Sequence, residues 1–188
     1  MRVLLAGILG GIAMYVWATI AHLSPLAQIG VHVPPHPALT AAALKLELGE
    51  TGGVYVYSSA PLPMAGGKPD AGPPPKAATS GLLSYTPNGP AGLSPKQLGF
   101  EFGLEMVEAM LAAFVVALAG GDGFARRLGL ATLVGVIAGI ATNLSYWNWY
   151  GFGLDYTLAN AFIETVKFVV AGAVISIVLG RAKKTAAT

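Results

Sequence analysis

Glu101, Glu105 and Glu108 stand at i, i+4 and i+7 in an otherwise apolar stretch, a spacing that lays one acidic stripe along a helix. Glu164 and Lys167 lie one turn apart in a second apolar stretch. At the centre of a membrane helix each such charge costs roughly 2.5–3.5 kcal/mol, so these residues call for an explanation. His22, Asn143 and Asn160 add polar groups in the same apolar surroundings, and with Glu105, Glu108, Glu164 and Lys167 they make a candidate binding cluster at one level.

Three chemistries fit those residue types. An ion-pair network would fix helix register, with Lys167 neutralised by Glu108 or Glu164 and the remaining carboxylate near His22. A pocket open to the outside would take a solute, a proton or a cation. A metal site would draw on the His22 nitrogen and the carboxylate oxygens, but no His-x-x-x-His or Glu-x-x-His pair lies on a helix, and His32 and His36 flank a proline pair outside the spans. No metal site is therefore expected.

The elements that must position these groups are set by composition. Of 188 residues, 54% are hydrophobic and only 11% charged, with a mean hydropathy of +0.64, so water is not the main solvent for this chain. Apolar runs at about 3–23, 102–119, 128–147 and 157–179 are each long enough to cross about 30 Å of hydrocarbon. The first also has the ingredients of a cleaved signal, but its apolar core is longer than such segments have, and a retained anchor is expected. Glu164 then lies roughly 10 Å and Lys167 roughly 15 Å from the outer end of the last span.

The basic residues orient the spans. Arg2, the pair Arg126 and Arg127, and Arg181, Lys183 and Lys184 all fall on one side if every run crosses, which places both termini in the cytoplasm. Lys45, Lys68, Lys76 and Lys96 are diluted along the long segment between the first two spans, which is therefore expected outside. Small residues four apart, Gly7 and Gly11, Gly135 and Gly139, and Gly172, Ser176 and Gly180, permit close helix approach. Internal packing is the simpler use of that spacing; a partner helix is the other.

Residues 25–94 differ in character. A short amphipathic helix is expected over 37–48, stopped by Gly49, followed by strands at about 54–57 and 82–86 that pair as a ribbon. Between them 60–75 is rich in proline and reads as an extended surface excursion, or else as a binding loop. Ser94 and Pro95 supply a helix cap and a first-turn proline for the second span. Trp147, Trp149 and Tyr150 close the third span as an aromatic interface belt, with a ligand box as the sharper alternative.

Other functions are excluded or unsupported. Eleven basic against nine acidic residues, net +2, leave no extended basic surface for nucleic acid. Zero cysteines rule out disulfides, thiolate metal sites and cysteine nucleophiles. No nucleotide cradle, nucleophile elbow, zinc-protease helix or haem-attachment pair is present, so no catalytic residue and no cofactor is assigned.

The runs Gly81-Leu82-Leu83-Ser84-Tyr85-Thr86-Pro87 and Tyr146-Trp147-Asn148-Trp149-Tyr150-Gly151-Phe152 resemble a group of small bacterial four-span membrane proteins of unassigned function. The resemblance covers most of the chain and implies a bacterial inner-membrane setting and a fold, but no activity. The expected fold class is an all-α integral membrane protein, a four-transmembrane-helix bundle with a small extracytoplasmic α+β insert between helices 1 and 2. Its parts are 1–24 (first span), 25–94 (insert) and 95–188 (three spans and a basic tail). The expected partners are membrane lipids and other membrane-protein subunits or a second copy. The expected role is a non-enzymatic accessory or scaffold subunit, and the alternative is a binding or transport protein using the polar cluster.

Overall fold

The computed structural model describes residues 1–59, 79–89 and 92–180. The proline-rich stretch 60–75 and the basic tail Arg181, Lys183 and Lys184 lie outside the described residues. In chain order the elements are α1 (Arg2–Leu23), α2 (Pro37–Leu48), β1 (Gly53–Ser58), β2 (Ser80–Tyr85), α3 (Pro95–Leu118), α4 (Phe124–Gly139), α5 (Ser145–Tyr150) and α6 (Leu154–Gly180). The chain divides into two compact units, Met1–Val31 with Gly92–Thr188, and His32–Ala91.

In the first unit α4 passes through a π turn, Ile140–Leu144, into α5, and the three form one 27-residue helix, Phe124–Tyr150. This helix, α1 and α6 are long and apolar enough to cross a membrane. The expectation of four spans is thereby met by composition for three helices only. The fourth, α3, is 24 residues long, but even its last 18 residues contain Glu101, Glu105 and Glu108. Its start is well defined: Ser94 Oγ accepts from Gln97 N at 3.1 Å while Gln97 Oε1 accepts from Ser94 N at 3.2 Å, a reciprocal capping box with Pro95 in the first turn.

α1 and α6 are the central pair. α1 packs on α3 and on α6, α4 packs on α6, and α3 and α4 touch little although they are consecutive. The side chains at the centre are mostly small: Ala6, Ala109, Ala112, Ala113, Ala131 and Ala171 are enclosed, with Met14 and Ile175 among the few large ones. Large apolar residues such as Leu5, Leu111, Phe114, Ile137 and Phe162 face outward, the reverse of a water-soluble core and the pattern expected when the surrounding solvent is itself apolar.

The small residues let the helix backbones close up. A Cβ added at Gly7 would lie 2.8 Å from Met110 Cα, and at Gly135 2.6 Å from Phe168 Cβ, distances that real atoms do not tolerate. Gly11 meets Met106, Gly139 meets Ala161 and Thr165, and Gly172 meets Ala131. The recurrent spacing therefore serves packing inside the chain at these positions. After α1 the chain folds back on the start of α6, where Gly30 adopts φ 72° against the Tyr156 backbone.

In the second unit α2 begins at Pro37 and ends at Gly49, which takes φ 63° as its cap. No residue of α2 is fully buried: Leu44 and Leu48 are half-buried, while Leu39 and Leu46, expected on its apolar face, are exposed. β1 and β2 form an antiparallel ribbon with register Gly53↔Tyr85 to Ser58↔Ser80. Tyr85 Oη donates to Gly49 O at 2.9 Å, Lys45 Nζ pairs with Glu50 at 3.2 Å, and Asn88 Nδ2 donates to Glu50 Oε2 at 2.9 Å, tying the helix end to the ribbon. The Asn88 hydrogen bond and then Lys45 hold the Glu50 carboxyl below its usual range.

Candidate functional site

The site sits where α3 faces α6. Glu105 and Glu108 are one turn apart on α3, Glu164 and Lys167 one turn apart on α6, so each helix brings two charged side chains to one face. Lys167 lies 13 residues into the 27 of α6, roughly 20 Å along a helix of about 40 Å, and hence close to its middle. Its Nζ is 3.2 Å from Glu105 Oε1, 2.8 Å from Glu108 Oε2 and 2.9 Å from Glu164 Oε1. One ammonium is thus shared by three carboxylates, two more than the single pairing anticipated from spacing, and His22 is not needed to complete it.

The three acids differ in access. The Glu105 side chain is 2% exposed and Lys167 7%, while Glu164 is 27% and Glu108 38% exposed. Glu105 Oε2 is buried with no hydrogen-bond partner among the described residues, and Glu108 Oε2 is also buried, 2.8 Å from the Lys167 ammonium. Formal charges leave the cluster two negative units in excess when all four groups are ionised. A cluster kept only to glue helices would be satisfied by one carboxylate per base, since each further buried charge adds a desolvation cost without a new counter-charge.

The other candidate residues make no hydrogen bond or ion pair with Lys167 among the described residues; their side chains bond within their own helices. The exposed His22 places Nδ1 2.9 Å from Ala18 O. Asn160 Nδ2 donates to Tyr156 O at 2.9 Å. Asn143 lies in the π turn and donates to Gly139 O at 3.1 Å and to Thr142 Oγ1 at 3.0 Å, occupying carbonyl capacity that the wider turn frees. Glu101, first of the acidic stripe, is exposed. Trp147, Trp149 and Tyr150 are all exposed on α5, while Tyr146 packs on Tyr150 and Phe152, and Phe152 stacks on Tyr156 at 5.6 Å.

Trp17 was not among the polar residues singled out by spacing. Its indole Nε1 donates to Ile163 O at 3.1 Å, joining α1 to the turn of α6 that carries Glu164 and Lys167. The signal for it lay in position: an indole well inside an apolar run, away from an interface belt, needs a partner for its N–H. At the other end of the helices Arg126 donates to Ala119 O at 3.3 Å, at the C-terminus of α3, and Arg127 lies 3.9 Å from Asp122.

Among the described residues no group of three or more His, Asp or Glu side chains is placed to hold a metal ion. The space between the three carboxylates is taken by the lysine ammonium. Comparison with protein-family models, with curated proteins and with solved structures finds no match to this chain.

Proposed function

We propose that this chain is a four-span protein of the bacterial inner membrane with both termini in the cytoplasm, acting as a non-enzymatic accessory or scaffold subunit of a larger membrane assembly. The basic residues Arg2, Arg126 and Arg127 support the orientation. The pairing of α3's acids with Lys167 supports α3 as the fourth span, because it offsets charges that would otherwise keep this helix out of lipid. One observation carries the subunit reading: the Glu108 side chain, ten residues from the inner end of α3, is 38% exposed although its Oε2 is enclosed against Lys167. At roughly 15 Å from a helix end that exposure opens sideways, where hydrocarbon offers a carboxylate nothing. A neighbouring protein surface does.

Extraction from native membranes in mild detergent tests this. A stoichiometric membrane partner that stays with the chain supports the reading, and a stable, solitary monomer refutes it. A second reading, a small-solute, proton or cation binding or transport protein, is favoured by the enclosed Glu105 Oε2 and the formal excess of three acids over one base. Glu108→Gln and Lys167→Met separate the two. Under the second reading either change abolishes uptake or binding while thermal stability holds.

A further inference from the structure

We propose that the partner presents a membrane helix carrying one basic side chain, docked along the Leu104, Glu108, Leu111 and Val115 flank of α3 with its lysine or arginine against Glu108. This rests on the accessory-subunit reading and specifies what that subunit must meet. The four residues recur at i, i+4, i+7 and i+11, a single stripe down the helix. All four are open: Leu104 is 48%, Leu111 62% and Val115 43% exposed, and the Glu108 side chain 38%.

The stripe borders the helices already packed on α3: Glu108 turns one oxygen onto Lys167 of α6, while Leu104, Leu111 and Val115 stay open. Met106, Ala109 and Met110 meet Gly11, Gly10 and Gly7 of α1, and Glu105, Ala112 and Val116 are enclosed. Because α3 touches α4 and α6 little, no helix among the described residues covers Leu104, Leu111 and Val115. From Leu104 to Val115 the flank is apolar except for Glu108, the exposed Glu101 lying two turns nearer the helix start, so the complement of this stretch is an apolar helix with one base at the level of Glu108.

Charge selects the occupant. Glu105, Glu108 and Glu164 share a single ammonium, and a second cation placed beside Glu108 and the 27%-exposed Glu164 reduces the excess where lipid cannot. A second copy of this chain does not supply it. Lys167 is the only basic residue in the interior of the four long helices, and its ammonium is already enclosed by three acids. A helix is required because only a hydrogen-bonded backbone can lie against this flank in hydrocarbon.

The test uses the full chain in phosphatidylcholine vesicles and a synthetic leucine–alanine membrane helix with one central lysine, its control having leucine there. Fluorescence transfer between labelled protein and labelled peptide is measured. The lysine peptide is expected to bind about tenfold more tightly than the control, an advantage that Glu108→Gln removes. Leu111→Trp, which bulks the flank and leaves every charge in place, is expected to weaken the lysine peptide as well. Circular dichroism and thermal melting of both variants establish that they fold.

Equal binding of the lysine and leucine peptides overturns the proposal, as does unchanged binding after Leu111→Trp. Self-association of the chain through the same flank, read as transfer between two labelled copies and abolished by Leu111→Trp, also overturns it. In either case the subunit reading stands if a native partner is still recovered from membranes. Loss of that partner from the native extract refutes the reading itself.

Discussion

Lys167→Met is the sharpest perturbation of this molecule, because methionine keeps the unbranched shape, one atom shorter, and removes the ammonium with its charge. The Lys167 side chain is 7% exposed and its ammonium touches three carboxylates within 3.2 Å. Removing one partner of an enclosed ion pair costs about 3–5 kcal/mol, since the charges left behind have neither water nor counter-ion. Removing a carboxylate is different in kind. Glu105→Gln leaves the ammonium paired with Glu108 and Glu164, and its cost is that of a poorly satisfied buried amide, about 1–2 kcal/mol. Glu164→Gln acts at a partly open position and is expected to cost about 1 kcal/mol or less. The excess of acids therefore predicts a gap of roughly 1–4 kcal/mol between losing the base and losing Glu105, about a 5- to 1,000-fold difference in folded over unfolded population. Unfolding in mixed micelles of rising denaturing-detergent fraction, followed by circular dichroism at neutral pH, measures it. Lys167→Met combined with Glu105→Gln is expected to recover part of the loss, because one uncompensated buried charge goes with the second change. A Lys167→Met cost no larger than that of Glu105→Gln, or strict additivity in the double variant, refutes this account of the cluster.

Three further outcomes follow from the packing. Gly135→Ala drives a methyl into Phe168 and the Thr165 carbonyl and is expected to cost about 1–3 kcal/mol, whereas Gly129→Ala meets nothing within 4 Å and is expected to be neutral or stabilising by up to about 1 kcal/mol; thermal melting compares them. Trp17→Phe removes the hydrogen bond to Ile163 O and is expected to cost about 1 kcal/mol, with faster hydrogen exchange at the Lys167 amide, whose intrahelical acceptor is that same carbonyl. In the second unit Asn88→Ala removes the first cause of the lowered Glu50 pKa, so a carboxyl titration followed by NMR is expected to move upward. Because the folded value is depressed, the stabilisation from Glu50 is present above its unfolded value and fades as pH falls through the folded one, and Asn88→Ala flattens that dependence.

Much of the helical framework is legible along the chain. Ser94-Pro95 marks the start of α3 because its capping chemistry is local, and Gly49 marks the end of α2 because a positive φ suits glycine. The third apolar run, read as 128–147, extends to Phe124–Tyr150 because a π turn bridges its two α segments, and a wider turn leaves no mark in the pattern of apolar residues. The composition that makes α1, α4–α5 and α6 apolar enough to span does not extend to α3, whose acids are compensated by a residue sixty positions away.

What the sequence by itself determines is position along each helix: Glu105 and Glu108 share a face, as do Glu164 and Lys167, because 3.6 residues per turn is a property of the backbone. Only the tertiary structure decides which faces meet. Small residues four apart occur on α1, α4 and α6, and each could have paired with several others; van der Waals fit selects α1 against α3 and α6, and α4 against α6. That choice brings three acids to one base. It also leaves His22, Asn143 and Asn160 to the carbonyls four residues behind them, a short-range competitor for polar side chains that hydropathy does not register.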